Sequence, residues 1–246
     1  MTIVELNKSS AGYPDLKQFV EKHALLFNSE QWLNVYPEAS IRQCAILNKN
    51  NEVIGCFIYF RFKKKGITFV ITPPFSPNSA LFYVNPAESV VGRHSFDKDV
   101  STLVADYFDA LSVPYFNLYL PYHAADTQPF TWKGFISKTR YSYLIDLHKS
   151  EEALWNNLSS EKRKSINKAQ KDGLEVKETE DYHTVFNLIM QSLERNDKDR
   201  NEQVIKNILF SFANKKNAIA YMASNDGKAI GASFCVVDRN RAVYIF

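Results

Sequence analysis

Residues 53–62 read VIGCFIYFRF, a run of β-branched and aromatic side chains that forms a long strand. On its N-terminal side IRQCAIL (41–47) alternates as a strand, and Lys49-Asn50-Asn51 supplies the turn between them. On its C-terminal side Lys63-Lys64-Lys65-Gly66 reverses the chain into an antiparallel strand over 67–72. Pro73-Pro74 ends that strand, because proline has no N–H to give to a ladder. The pattern returns near the other end of the chain: a strand over 218–223, a hairpin turn at Asn225-Asp226-Gly227, AIGASFCVV over 229–237, a turn at Asp238-Arg239-Asn240, and a strand from 242 to 246. The middle strand opens with Ile-Gly each time. Helical patterns precede each meander, over 15–23 and 30–36 in the first case and over 183–195 and 202–213 in the second.

The expected fold class is therefore α/β (α+β): tandem half-domains with mixed, largely antiparallel sheets flanked by helices. The first half runs on through a helix over 97–111, where Val100, Leu103, Val104, Tyr107 and Phe108 have helical spacing, a strand over 115–120 between prolines, and a closing strand over 141–147. Its expected bounds are 1–148. The second half, 149–246, is expected to be incomplete, because its meander reaches Phe246 with no counterpart to the helix and strands that follow the first.

A net charge of +3 is too near neutral for a chain coated in nucleic acid. Cys44, Cys56 and Cys235 lack metal spacing, and an odd count of thiols suits a reducing compartment, so a cytoplasmic location is expected. No run approaches the ~18 apolar residues of a membrane span. The five histidines are scattered without metal spacing, and no G-x-S-x-G elbow, G-x-G-x-x-G or Walker loop occurs.

The block from Leu154 to Val176, LWNNLSSEKRKSINKAQKDGLEV, carries the local charge. Ser150 is placed to cap one helix, Ser159 or Ser160 a second, and Asp172-Gly173 to end it. Lys164, Lys168 and Lys171 share one face of that second helix. On charge alone this is a solvated face or a phosphate-binding surface, and Arg163 is the strongest candidate contact because guanidinium grips oxyanions bidentately.

The order Arg163, Ile166, Lys168-Ala169, Gly173-Leu174-Glu175-Val176 resembles the signature of FemAB-like transferases, a branch of the GNAT acyltransferase superfamily. Ser29-Glu30-Gln31-Trp32 resembles the leading helix of that family with its tryptophan, and Thr72-Pro73-Pro74 its proline-containing turn. The resemblance implies paired GNAT-like folds that transfer an acyl or aminoacyl group, from acyl-CoA or aminoacyl-tRNA, to an amine. The implied acceptor is a small-molecule or glycan/peptide amine in cell-envelope or glycan metabolism, with tRNA as a further partner. Amine attack on an ester or thioester needs N–H donors at the developing oxyanion and an acceptor for the proton.

The candidate substrate contacts are Arg163, Lys164, Lys168 and Trp32, with Tyr141, placed to line a cleft between halves, and Arg195, which ends a helix before the polar loop 196–201. In the first half the position of a GNAT donor loop reads Pro73-Pro74-Phe75-Ser76-Pro77. Three prolines remove three N–H donors, so this half is expected to hold no pyrophosphate. Two non-enzymatic alternatives stay open: a module that binds RNA or another anionic ligand, and a degenerate paralogue with no ligand.

Overall fold

The computed structural model describes residues 1–124, 126–195, 201–213, 216–239 and 241–246. Ten strands and eight helices are formed among them, in two sheets, which bears out the α/β class.

The first sheet is built on β2 (Ile41–Leu47), β3 (Val53–Lys64) and β4 (Ile67–Ile71), an antiparallel meander. Lys65 and Gly66, both at positive φ, make the tight turn between β3 and β4. β1 (Thr2–Leu6), which sequence patterning did not single out, adds to the β2 edge. β5 (Phe82–Tyr83) pairs with the first part of β3, and β6 (Tyr115–Asn117) runs parallel to β4. α1 (Tyr13–Lys22) covers one face, burying Leu16 and Val20 near Ala45 and Cys56. α3 (Val90–Ala110) covers the other through Val100, Val104 and Phe108, against Ile46, Phe57 and Tyr59. Alternate residues of β2 and β3 thus face two different helices, and this explains strands that are apolar on both faces.

The second sheet has the order β10-β9-β8-β7, from β7 (Glu175–Glu178), β8 (Ala218–Asn225), β9 (Lys228–Asp238) and β10 (Arg241–Tyr244). Asp226 and Gly227, both at positive φ, close the β8–β9 hairpin as expected. Asn240, the last residue of the expected turn 238–240, lies outside the described residues.

The two meanders share an irregularity that supports a true repeat. Ile46 pairs with Gly55 but Leu47 pairs with Val53, so Ile54 is an extra residue on β3. Ala223 pairs with Gly231 but Ser224 pairs with Ala229, so Ile230 is the extra residue on β9. A β-bulge therefore falls on the isoleucine of Ile-Gly in each meander. In the first, β5 runs against the bulge: Val84 N–H donates to Ile54 O at 2.8 Å, and Gly55 lies under the β5 backbone.

The expected strand over 141–147 does not form. Residues 137–149 have no regular structure beyond a turn, and Tyr141, Tyr143, Leu144, Ile145 and Leu147 are exposed. Strand propensity is local, but a strand also needs a neighbour to complete its ladder, and no described strand pairs with this segment. Two other expected elements are shorter than the sequence patterning predicts. α2 is only Glu30–Leu33, preceded by a 3-10 turn at Leu26–Asn28, and β6 stops at Asn117.

α4 (Gln128–Trp132), α5 (Glu151–Asn157) and α6 (Ser160–Lys171) follow, with no buried residue in α5 or α6. α7 (Tyr182–Arg195) and α8 (Glu202–Phe212) pack on the second sheet. The same core takes in Trp32, Leu33, Val35, Tyr36 and Ile58, so it crosses residue 148. Polar ties accompany it: Asn207 Nδ2 donates to Val35 O (2.8 Å), Gln31 Nε2 to Ser211 O (3.1 Å), and Leu26 N–H to the buried Asp238 carboxylate (3.1 Å). No helix among the described residues is long and apolar enough to cross a membrane.

Candidate functional site

The basic block folds as two capped helices. Ser150 Oγ accepts from Ala153 N–H and Ser159 Oγ from Lys162 N–H, while Gly173 ends α6 at φ +76°. Arg163, half-buried, has a structural job at this corner. Its Nη1 donates to the carbonyls of Leu158 (2.6 Å), Asn156 (3.2 Å) and Trp155 (3.5 Å) at the C-terminal end of α5, where Trp155 O also accepts from Leu158 N–H. Lys164 and Lys168 are exposed and form no ion pair among the described residues.

The other three sequence candidates lie apart from this block. Trp32 is fully buried, its Nε1–H donating to Ser76 Oγ at 2.9 Å and its ring edge-on to Phe27 and Phe212. It is a core side chain in a cluster that includes residues of both sheets and presents no surface to a ligand. Tyr141 is 92% exposed. Arg195 ends α7, exposed, and residues 196–200 of the loop after it lie outside the described residues. No hydrogen bond, ion pair or ring contact among the described residues joins any two of the six.

The loop after β4 is closed by its own bonds. Thr72 N–H donates to Asn117 O, Ser76 N–H to Pro73 O, Ser79 N–H to Tyr119 O and Ala80 N–H to Asn78 Oδ1. Tyr36 Oη donates to Pro74 O at 2.8 Å. With three further positions occupied by proline, the loop offers no row of free donors for a phosphate.

The structure does assemble a cationic seam that sequence patterning missed. The Arg239 guanidinium lies 5.3 Å from the Phe82 ring, whose centroid is 5.1 Å from that of His23, the two rings tilted at 44°. Arg241 lies 5.9 Å from the Tyr122 ring, and the adjacent His123 Nε2–H donates to Leu81 O at 3.0 Å. Asp238 accepts from Leu26 N–H and stands 3.8 Å from Arg241. Burial, then the nearby Arg241 and Arg239, hold His123 below the ordinary histidine pKa; His23 is lowered by burial, Lys22 and Arg239. Cations from the β9–β10 turn and from β10 are thus set near His23 and His123, a rim suited to an anionic group. In sequence these arginines belong to a turn and an edge strand, with no spacing that ties them to His23 or His123. Among the described residues, no three His, Cys, Asp or Glu side chains converge as metal ligands.

Comparison with known proteins bears out the family resemblance. Residues 123–232 match the model of the FemAB family, a span that includes the basic block and most of the second sheet. The structure of FemX superposes with a TM-score of 0.53 at 16% identity, over 92% of this chain and 58% of that one. The chain thus spans less than two thirds of the length of FemX. A ribosomal-protein-alanine N-acetyltransferase from Brucella melitensis biovar Abortus 2308 aligns at 12% identity, over 60% of this chain and 100% of its own, with a TM-score of 0.33. No curated protein matches the sequence.

Proposed function

We propose that the chain is part of an N-acyl- or aminoacyltransferase that moves an acyl group from acyl-CoA or aminoacyl-tRNA to the amine of a small-molecule, glycan or peptide acceptor. The observation that carries this reading is the FemAB match over 123–232 on a chain whose two meanders repeat down to the same bulge. Two repeat units meet near residue 148, and the reacting groups bind along their seam. The closed, proline-rich loop after β4 supports a donor site in the second unit rather than the first. Arg239, Arg241 and His123 are the candidate contacts for phosphates of either substrate, with Lys164 and Lys168 an outer basic surface. The amine attacks the ester or thioester carbonyl, backbone N–H groups stabilise the oxyanion, and the substrate or a nearby base takes the proton. A cytoplasmic role in cell-envelope or glycan metabolism fits these substrates.

The test is direct. The full gene product is incubated with acetyl-CoA or charged tRNA and a panel of primary amines, and N-acylated product is read by mass spectrometry. Saturable donor binding and product are expected. A full gene product that binds neither donor rejects the reading.

One observation favours a second reading, a non-catalytic module for RNA: Lys164, Lys168 and Lys171 line an exposed helix face and form no ion pair among the described residues. That reading requires binding to arbitrary RNA that weakens steeply with salt and is lost when Lys164 and Lys168 become alanine.

A further inference from the structure

The arginines of the seam keep their donors free. Arg239 rests on the Phe82 ring and Arg241 near the Tyr122 ring. Among the described residues neither guanidinium makes a hydrogen bond, and Arg239 has no ion pair. The Asp238 carboxylate stands 3.8 Å from Arg241 and is also committed to Leu26 N–H. A guanidinium on a ring face retains its N–H edge for an oxyanion. Both arginines and Tyr122 are exposed, so these donors can be reached from solvent.

His123 joins this rim through one nitrogen. Its Nε2 lies 3.0 Å from Leu81 O. A carbonyl only accepts, so Nε2 carries the hydrogen and Nδ1 of the neutral ring carries a lone pair. The charged groups around the ring are Arg241 from β10, Arg239 from the β9–β10 turn and Asp97 from α3. The Tyr122 ring stands edge-on to it, centroids 5.6 Å apart. Partial burial of the ring, then the two arginines, outweigh Asp97 and disfavour a proton on Nδ1. His23 repeats the arrangement beside Lys22 and Arg239. An anion seated on the arginines cancels their repulsion of a histidine proton, and the protonated ring in turn attracts the anion.

We propose that the seam is a proton-coupled site for a divalent oxyanion such as a phosphate: Arg239 and Arg241 bind the dianion, and its arrival brings a proton from solvent to Nδ1 of His123. The inference rests on the reading of the seam as the rim that meets substrate phosphates, and it makes that contact tighten as the pH falls.

The probe is sodium sulfate, whose double charge is constant across the range used, so any pH dependence belongs to the protein. It is titrated into the intact protein at fixed ionic strength, from about pH 8 to about pH 5, while the imidazole NMR signals of His123 and His23 are followed. Saturable binding is expected, tightening about tenfold toward acid, with His123 gaining its proton at higher pH when sulfate is bound; linkage requires the two effects to match. Arg239→Gln should weaken binding about tenfold, the scale of one hydrogen bond to a charged group. His123→Gln keeps a donor for Leu81 O, and should bind sulfate at the alkaline end but lose most of the pH dependence. His183→Gln, on α7 and outside the seam, should change neither. Unchanged backbone amide spectra show that the variants fold. Absence of saturation, an affinity flat with pH, or the original pH dependence in His123→Gln overturns the proposal. Sulfate that fails to bind while the full gene product still forms N-acylated product rejects this inference and leaves the transfer reading standing. Proton-coupled sulfate binding without product supports the inference and counts against transfer alone.

Discussion

At the residue scale, the two Ile-Gly pairs look interchangeable in sequence but are not so in space. A Cβ on Gly55 would stand 2.7 Å from Phe82 O and 2.7 Å from Tyr83 Cβ, whereas the nearest atom to one on Gly231 is Ala223 Cβ at 4.0 Å. Gly55→Ala should destabilise the protein by about 1–3 kcal/mol in urea titration, because backbone must move. Gly231→Ala should be nearly neutral by the same measurement. Asp238, at the end of β9, is tied to a distant part of the chain by one bond, buried and accepting from the Leu26 N–H. Asp238→Ala leaves that N–H without its acceptor and should cost about 1–3 kcal/mol. Neither distinction was legible in the sequence, where Gly55 and Gly231 share a motif and Asp238 belongs to a turn.

At the element scale, the basic block is well specified locally and weakly held globally. Its caps and glycine stop were legible because each depends on residues within one turn of helix. Ser159→Ala should cost about 1 kcal/mol of local stability. Because α5, α6 and β7 bury no residue, their amides should exchange with solvent well before those of β3 and α8, as hydrogen-exchange mass spectrometry will read. Arg163 illustrates the limit of motif reading: its place in a family-like pattern singled it out, yet the atoms it touches are the carbonyls of the preceding helix.

At the scale of the whole molecule, α8 lies in a core shared by both sheets. Leu209→Ala, at a fully buried site, should cost about 2–5 kcal/mol, and protection should fall in β3 as well as in β8 and β9. The seam also makes stability depend on pH. His123 has a folded pKa below its ordinary 6.5, so below that value the unfolded chain binds more protons than the folded one. Its stabilising contribution is present in full above about pH 6.5 and is lost as the pH falls toward the folded pKa. Chemical denaturation followed from neutral to mildly acidic pH should therefore show falling stability, with a shallower fall in His123→Gln.

The sequence alone determined the meanders, their turns, the helix caps and the family resemblance, because each rests on propensity, periodicity or backbone conformation over a few residues. Only the tertiary structure decided that Trp32 is core and that the 141–147 segment pairs with no strand. It alone brought His23, His123, Arg239 and Arg241 to one seam. These outcomes depend on what lies opposite a residue, and the residues opposite can be 212 positions away along the chain, as Leu26 and Asp238 show.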